Sequence, residues 1–190
     1  MGGVDKGLQA FQGLTLVEHV LQRMRGQVAY VGINANRSLE HYAALNVPVW
    51  PDANADFAGP LAGFAAGLTH CTTPYLLTAP CDTPYLPLDL ATRLGTALQQ
   101  HEADIAMASA PEVDKFGQLQ LRTQPVFCLI KTSLLQSLLD FMQSGGRKID
   151  AWTAQHHTVQ VPFNLPTDHA HSFFNINTLQ QLQGLETPST

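Results

Sequence analysis

The stretch Tyr75-Leu-Leu-Thr-Ala-Pro-Cys-Asp-Thr-Pro84 decides how the remainder of the chain is read. Its first half is a short apolar run of strand character, and its second half is a turn stiffened by Pro80 and Pro84. A carboxylate, Asp82, is therefore offered from a rigid loop just beyond the end of a strand. In an open parallel sheet, ligands bind in that place, outside the carboxyl ends of the strands. The geometry suits holding Mg²⁺ against phosphate oxygens, because Mg²⁺ takes one or two carboxylates and completes its octahedron with water and substrate. An aspartate here also suits a plain turn, or the cap of a helix starting near Leu86.

The same rhythm continues on either side. Residues 27–33, 47–50, 104–109 and 125–130 read as further strands. Between them, apolar residues recur at helical spacing: Leu16, Val17, Val20, Leu21 and Met24, then Leu61, Phe64, Ala65 and Leu68, then Leu90, Leu94 and Leu98. Residues 134–142 form another amphipathic stretch that stops at Gly145-Gly146, and a last helix is expected over 178–185. Strands alternating with crossover helices predict an α/β fold of three layers, a Rossmann-like arrangement with a mostly parallel central sheet and helices on both faces. The span 110–124 is richer in charged and turn residues and reads as an insertion or a small hairpin at the sheet's edge. With 190 residues and neither linker nor repeat, one domain over 1–190 is expected to carry the whole function.

Charge narrows the choice of function. Lys and Arg number 10 against 15 Asp and Glu, so the net charge of −5 argues against broad capture of nucleic acid or of an anionic membrane. A phosphate ligand has to be held by a few local cations, by backbone N–H groups or by a metal. Cys71, Cys81 and Cys128 are an odd set without C-x-x-C spacing, which suits a reducing compartment. No apolar run reaches the length of a membrane span and no signal-peptide core opens the chain, so the cytoplasm is expected. His156-His157 and His169-Ala-His171 lack the partners of a zinc set at familiar spacing and read as structural or loop histidines. Neither a G-x-S-x-G elbow nor a dinucleotide G-x-G-x-x-G occurs, which removes the usual support for hydrolase and dehydrogenase readings.

Phosphate and base contacts have several candidates. Lys6, close behind Gly2-Gly3, has the reach to meet phosphates while backbone N–H groups cradle them, although the same residues also read as a loose terminus. Asn34 and Asp52 follow successive strands; a carboxylate there can accept from the ring N–H and amino donors of guanine, and each residue also suits a turn. Gly59-Pro-Leu-Ala-Gly63 opens a helix with proline in its first turn and small residues that permit close approach, whether of a ligand or of a neighbouring element. Gly146-Arg147-Lys148 is the densest cationic spot in an acidic chain, suited to a second anionic substrate or to an ordinary solvated helix end.

In this order, Met1-Gly-Gly-Val-Asp-Lys-Gly-Leu8, Asn34-Ala-Asn-Arg37, Gly59-Pro-Leu-Ala-Gly63, Pro80-Cys-Asp-Thr-Pro84 and Phe174-Asn-Ile-Asn-Thr178 closely resemble the molybdenum cofactor guanylyltransferases over essentially the whole chain. The resemblance implies a nucleotidyltransferase fold and transfer of GMP from GTP to the molybdopterin cofactor, with pyrophosphate released. It implies that Lys6, Asn34, Asp52 and Asp82 bind GTP, that Asp82 also holds Mg²⁺, and that Asn175, Asn177 and the Arg147 region face the molybdopterin end. A monomer is expected, with molybdoenzymes or their chaperones as further partners. The alternatives are a cytidylyltransferase or another pyrophosphorylase of this fold, or a non-catalytic carrier of nucleotide or cofactor. The family opens with a strand and a glycine-rich loop that includes two earlier glycines and an arginine, whereas this sequence begins at the methionine after them. Those residues are expected upstream of Met1, because a buried strand bonds on both sides and its loss leaves its neighbours' backbone groups unpaired.

Overall fold

The computed structural model describes residues 5–52 and 59–176. After a 3₁₀ turn at Lys6–Leu8, a two-residue hairpin (β1, Ala10–Phe11; β2, Leu14–Thr15) leads into α1 (Leu16–Arg25). The start of α1 is written locally: Thr15 accepts from the Glu18 N–H while the Glu18 carboxylate accepts from the Thr15 N–H and hydroxyl, a reciprocal capping box. Its apolar face, Leu16, Val17, Val20, Leu21 and Met24, is buried, worth about 1.5–3 kcal/mol for each large side chain.

Next come β3 (Ile33–Asn34), α2 (Leu39–Ala43) and β4 (Val49–Trp50), with β3 and β4 paired in parallel. Then follow α3 (Pro60–His70), β5 (Tyr75–Leu77), α4 (Leu90–Gln100), β6 (Ile105–Val113), β7 (Leu119–Lys131), α5 (Leu135–Gln143), α6 (Ile149–Thr153) and β8 (Thr158–Pro162). The main sheet has the order β5-β7-β6-β8; β7 runs antiparallel to both neighbours and β6 runs parallel to β8. The sheet is thus mixed, and β3–β4 stands as a separate parallel pair. No helix among the described residues is long and apolar enough to cross a membrane.

Helices cover both faces. Leu76 packs with Leu61, Phe64, Ala65 and Leu68 of α3 and with α5, while its neighbour Leu77 joins Val20 and Met24 of α1 and Leu90 and Leu94 of α4. Successive strand residues point to opposite faces, so α1 and α3 lie on opposite sides of the sheet. The expected α/β class with helices on both faces is therefore present. The span 110–124 is a hairpin, turning at Asp114, whose carboxylate accepts from the Phe116 and Gln118 N–H groups. The expected strand at 27–33 narrows to Ile33–Asn34, β8 was not anticipated, and the expected helix at 178–185 lies outside the described residues.

The segment after β8 is tied back by Arg93 of α4. Its guanidinium bonds to Asp168 at 2.7 Å and to the Pro162 carbonyl, and it lies 3.7 Å over the Phe163 ring. This clamp carries the chain to Ile176, whose N–H donates to the Asp82 carbonyl at 3.0 Å.

Candidate active site

Of the residues named from the sequence, Lys6, Asn34 and Asp82 line one cavity of about 980 Å³. Asp82 follows β5 in a turn braced by the Thr83 hydroxyl, which donates to the Pro80 carbonyl, and by the Leu86 N–H, which donates to the Thr83 carbonyl. Its residue is only 8% exposed, so the carboxylate looks into the cavity rather than into bulk water. Burial raises its pKa, while the Lys6 ammonium and Asp82's own backbone N–H pull it down without cancelling the rise.

Lys6 is positioned by its neighbours. The Tyr42 hydroxyl donates to the Asp5 carboxylate at 2.6 Å, and Arg37 approaches the same carboxylate at 3.6 Å, fixing the 3₁₀ turn from which Lys6 springs. Gly7 lets that turn lie flat against the Asp82 loop: a Cβ there would meet the Tyr42 hydroxyl at 2.6 Å and Cys81 Sγ at 3.1 Å. Cys81 is itself pushed up to about 11, first by burial and then by the negative charges of Asp82 and Asp5, so it stays a neutral thiol at physiological pH.

A second group stands at the ends of β3 and β4. The Asn34 amide donates to the Asp52 carboxylate at 2.9 Å and to the Trp50 carbonyl at 3.1 Å; the Asn36 amide donates to the other Asp52 oxygen at 2.7 Å and its carbonyl accepts from the Asp52 N–H. Both carboxylate oxygens are thereby aimed, and each keeps acceptor capacity for a donor edge. Gly63 of α3 presses against Asn34: a Cβ would lie 2.9 Å from Asn34 Oδ1.

Asn175 is exposed and sits one residue before the Ile176–Asp82 bond, so it lies near the Asp82 turn. Arg147 lies in the loop between α5 and α6, where its guanidinium donates to the Met142 and Gly146 carbonyls, and it does not line the cavity. Asn177 lies outside the described residues. Sequence reasoning passed over Asp5, Asn36, Arg37 and Tyr42. The first three lay inside quoted motifs, whereas nothing in the sequence marks Tyr42 as the hydroxyl that anchors Asp5.

Among the described residues, no three His, Cys, Asp or Glu side chains converge to enclose an ion. Asp82 faces cavity space beside Lys6, with Asp5 also on the lining, which fits a hard divalent cation that takes one or two carboxylates and most of its oxygens from substrate and water. A strand-end carboxylate, an opposed lysine and an aimed amide–carboxylate pair, on an α/β sheet covered on both faces, together define a nucleotidyltransferase of Rossmann-like type.

Comparison with known proteins gives the particular family. The MobA-like NTP transferase domain matches residues 1–159. The molybdenum cofactor guanylyltransferase of an Acidovorax species is 59% identical over 98% of this chain and 89% of its own length. That of Albidiferax ferrireducens is 58% identical over the same shares. The crystal structure of molybdopterin-guanine dinucleotide biosynthesis protein A from Archaeoglobus fulgidus shares the fold, with a TM-score of 0.75 over 97% of this chain and 90% of that one at 21% identity. The chain belongs to the molybdenum cofactor guanylyltransferase family.

Proposed function

We propose that the protein transfers GMP from GTP to the phosphate of the molybdopterin cofactor. A terminal phosphate oxygen of the cofactor attacks the α-phosphorus of GTP, the bond to the β-phosphate oxygen breaks in line, and pyrophosphate leaves. No protein nucleophile takes part, so the side chains contribute position and charge. The observation that carries this reading is Asp82 opposed to Lys6 in the cavity that also reaches Asn34.

Lys6 offsets the charge that builds on the transferring phosphoryl group and the departing pyrophosphate. Asp82 is the residue to hold Mg²⁺, which when bound would neutralise phosphate oxygens. Asp52, oriented by Asn34 and Asn36, accepts from the N1–H and exocyclic amino group of guanine; cytosine presents no matching pair of donors. Asn175 and Asn177, with the Arg147 region, are assigned to the cofactor side. We place the reaction in the cytoplasm.

The test is pyrophosphate release from GTP with Mg²⁺ and molybdopterin, comparing the protein with Asp82→Ala and Lys6→Met. Each should lose roughly 10²–10³-fold or more in rate with the circular dichroism spectrum unchanged. Near-normal transfer by Asp82→Ala, still requiring Mg²⁺, would move the metal to other residues.

A further inference from the structure

The hairpin over 110–124 leaves the main sheet as a ribbon of two strands. β8 accompanies β6 only as far as the pair Ser109–Pro162, and β5 accompanies β7 only between Leu129 and Lys131. From the pair Ala110–Arg122 to the pair Val113–Leu119, β6 and β7 bond to each other alone among the described residues. A two-stranded hairpin is marginal in water unless something packs on it. Because β5 and β6 both run antiparallel to β7, they are parallel to each other, and the ribbon rises from the end of the sheet that carries the Asp82 turn.

Its two faces differ in chemistry. Residues paired across an antiparallel ladder share a face, and successive residues alternate between faces. One face therefore holds Pro111, Val113, Leu119 and Leu121, with no polar side chain among them. Val113, Leu119 and Leu121 are 67%, 69% and 51% exposed, and none of them joins a core cluster. Phe116, at the turn, is exposed as well. The other face holds Glu112, Gln120 and Arg122; there the Gln124 amide donates to Glu112 at 2.6 Å and the Gln120 amide donates to Asp114 at 3.0 Å. The polar face is tied up within itself while the apolar face stands open, the mark of an interaction surface.

Edge, charge and size decide what covers it. The Ser109 carbonyl points outward from β6 to the Phe163 N–H, so Pro111, two residues on, also turns outward, where it has no N–H to offer an added strand. Contact is therefore through the face. The chain carries a net charge of −5, yet within 110–124 Glu112 and Asp114 are balanced by Lys115 and Arg122. A neutral apolar face gives no purchase to a basic partner or an anionic membrane, and it is where two copies of an acidic chain meet without repulsion. We propose that this face is a dimer interface through which two copies of the chain join ribbon to ribbon. A two-fold axis between them stacks the Val113–Leu119 pair of one copy on that of the other, as the sheets of a sandwich stack. A single ribbon face falls short of the standard area of about 800 Å² per partner, so the dimer forms at micromolar concentrations. The inference rests on the exposed face and is independent of the substrate assignment.

The test is sedimentation velocity of the intact protein from low micromolar to submillimolar concentration. The parent chain should pass from monomer to dimer across that range. Leu119→Ser combined with Leu121→Ser should weaken the dimer roughly a hundredfold or more, with the circular dichroism spectrum and the melting temperature of the monomer unchanged. Leu119→Met combined with Leu121→Met should keep the dimer, as should Gln120→Thr on the polar face, so that a loss confined to the serine pair reports the apolar contact itself. A parent chain that stays monomeric throughout would overturn the proposal, whether or not it sediments with lipid vesicles. So would a dimer that the serine pair leaves intact, since the interface would then lie elsewhere. Asp82→Ala should dimerise as the parent does, so this proposal and the proposed function fail separately.

Discussion

Asp82 shows how one carboxylate is set against itself. Burial lifts its pKa above the ordinary 3.8, and the Lys6 charge recovers only part of the rise. A carboxyl whose folded pKa is raised contributes stability that is complete below the unfolded value and is lost as pH rises through the folded one. Asp82→Asn should therefore raise Tm at neutral pH in the absence of nucleotide, with the gain vanishing below pH 3.8. A thermal melt series from pH 3 to 8 checks this, and an equal gain at every pH would point to a cause other than ionisation. Lys6→Met removes the one opposing cation named, so the acid limb of the transfer rate should move to higher pH. At the base end, Asn34→Ala takes a donor from the Asp52 carboxylate, an interaction of about 1.5–3 kcal/mol. The KM for GTP should rise roughly 10–100-fold with a smaller change in kcat. Gly63→Ala should produce a weaker version of the same defect, because its new methyl pushes on Asn34 Oδ1. These candidate positions were legible in the sequence to different degrees. Asp82 stood out because two prolines framed it after an apolar run. Asp52 had no such frame, and its two amide partners became visible only when β3 and β4 brought 34, 36 and 52 together.

At the scale of elements, α1 is the best-specified piece. Thr15 and Glu18 stand at capping-box spacing before a five-residue apolar stripe, and the structure realises both reciprocal bonds. The Thr15 side-chain and backbone bonds hold the Glu18 pKa below its ordinary value. Thr15→Ala and Glu18→Ala should each cost about 1 kcal/mol, and the double variant less than the sum, because either change breaks the shared pair. Urea unfolding of the four proteins of that cycle measures the shortfall. A strictly additive result would mean that the two bonds act independently. The strands were harder to read. The run at 27–33 carries Val28, Tyr30, Val31 and Ile33, all favoured in strands, yet of it only Ile33 finds a partner, together with Asn34 just beyond, because pairing depends on what lies alongside and not on the run itself. β8 was missed for the complementary reason: Thr158–Pro162 is short, carries Gln160 in its middle, and owes its strand state to the parallel ladder with β6.

On the scale of the whole molecule, sequence periodicity delivered the class and the layering, since α1, α3, α4 and α5 each announce a buried stripe at the helical period. It could not deliver the order of strands, which arises from connections that the local pattern does not encode; β6 and β7 form a local hairpin, but β7 also pairs antiparallel with β5, from a distant part of the chain. Nor could it show that Arg93 would gather the segment 162–168 onto α4 and so bring Ile176 to the Asp82 turn. Because the site draws on residues from position 6 to position 82 and beyond, its ligand should stabilise the molecule globally. At a hundredfold excess over Kd, GTP with Mg²⁺ should add about 2.7 kcal/mol, equivalent to a rise of about 5–10 °C in Tm for a chain of this size. ATP at the same concentration should give clearly less. A shift of equal size with every nucleotide would remove Asp52 from base selection. The single bond from the Ile176 N–H to the Asp82 carbonyl offers a quieter instrument. That amide bonds the loop that carries Asp82, so if ligand binds there its nuclear magnetic resonance frequency should follow occupancy at the carboxylate, letting one backbone proton serve as an indicator lamp for titrations too weak to move a melting curve.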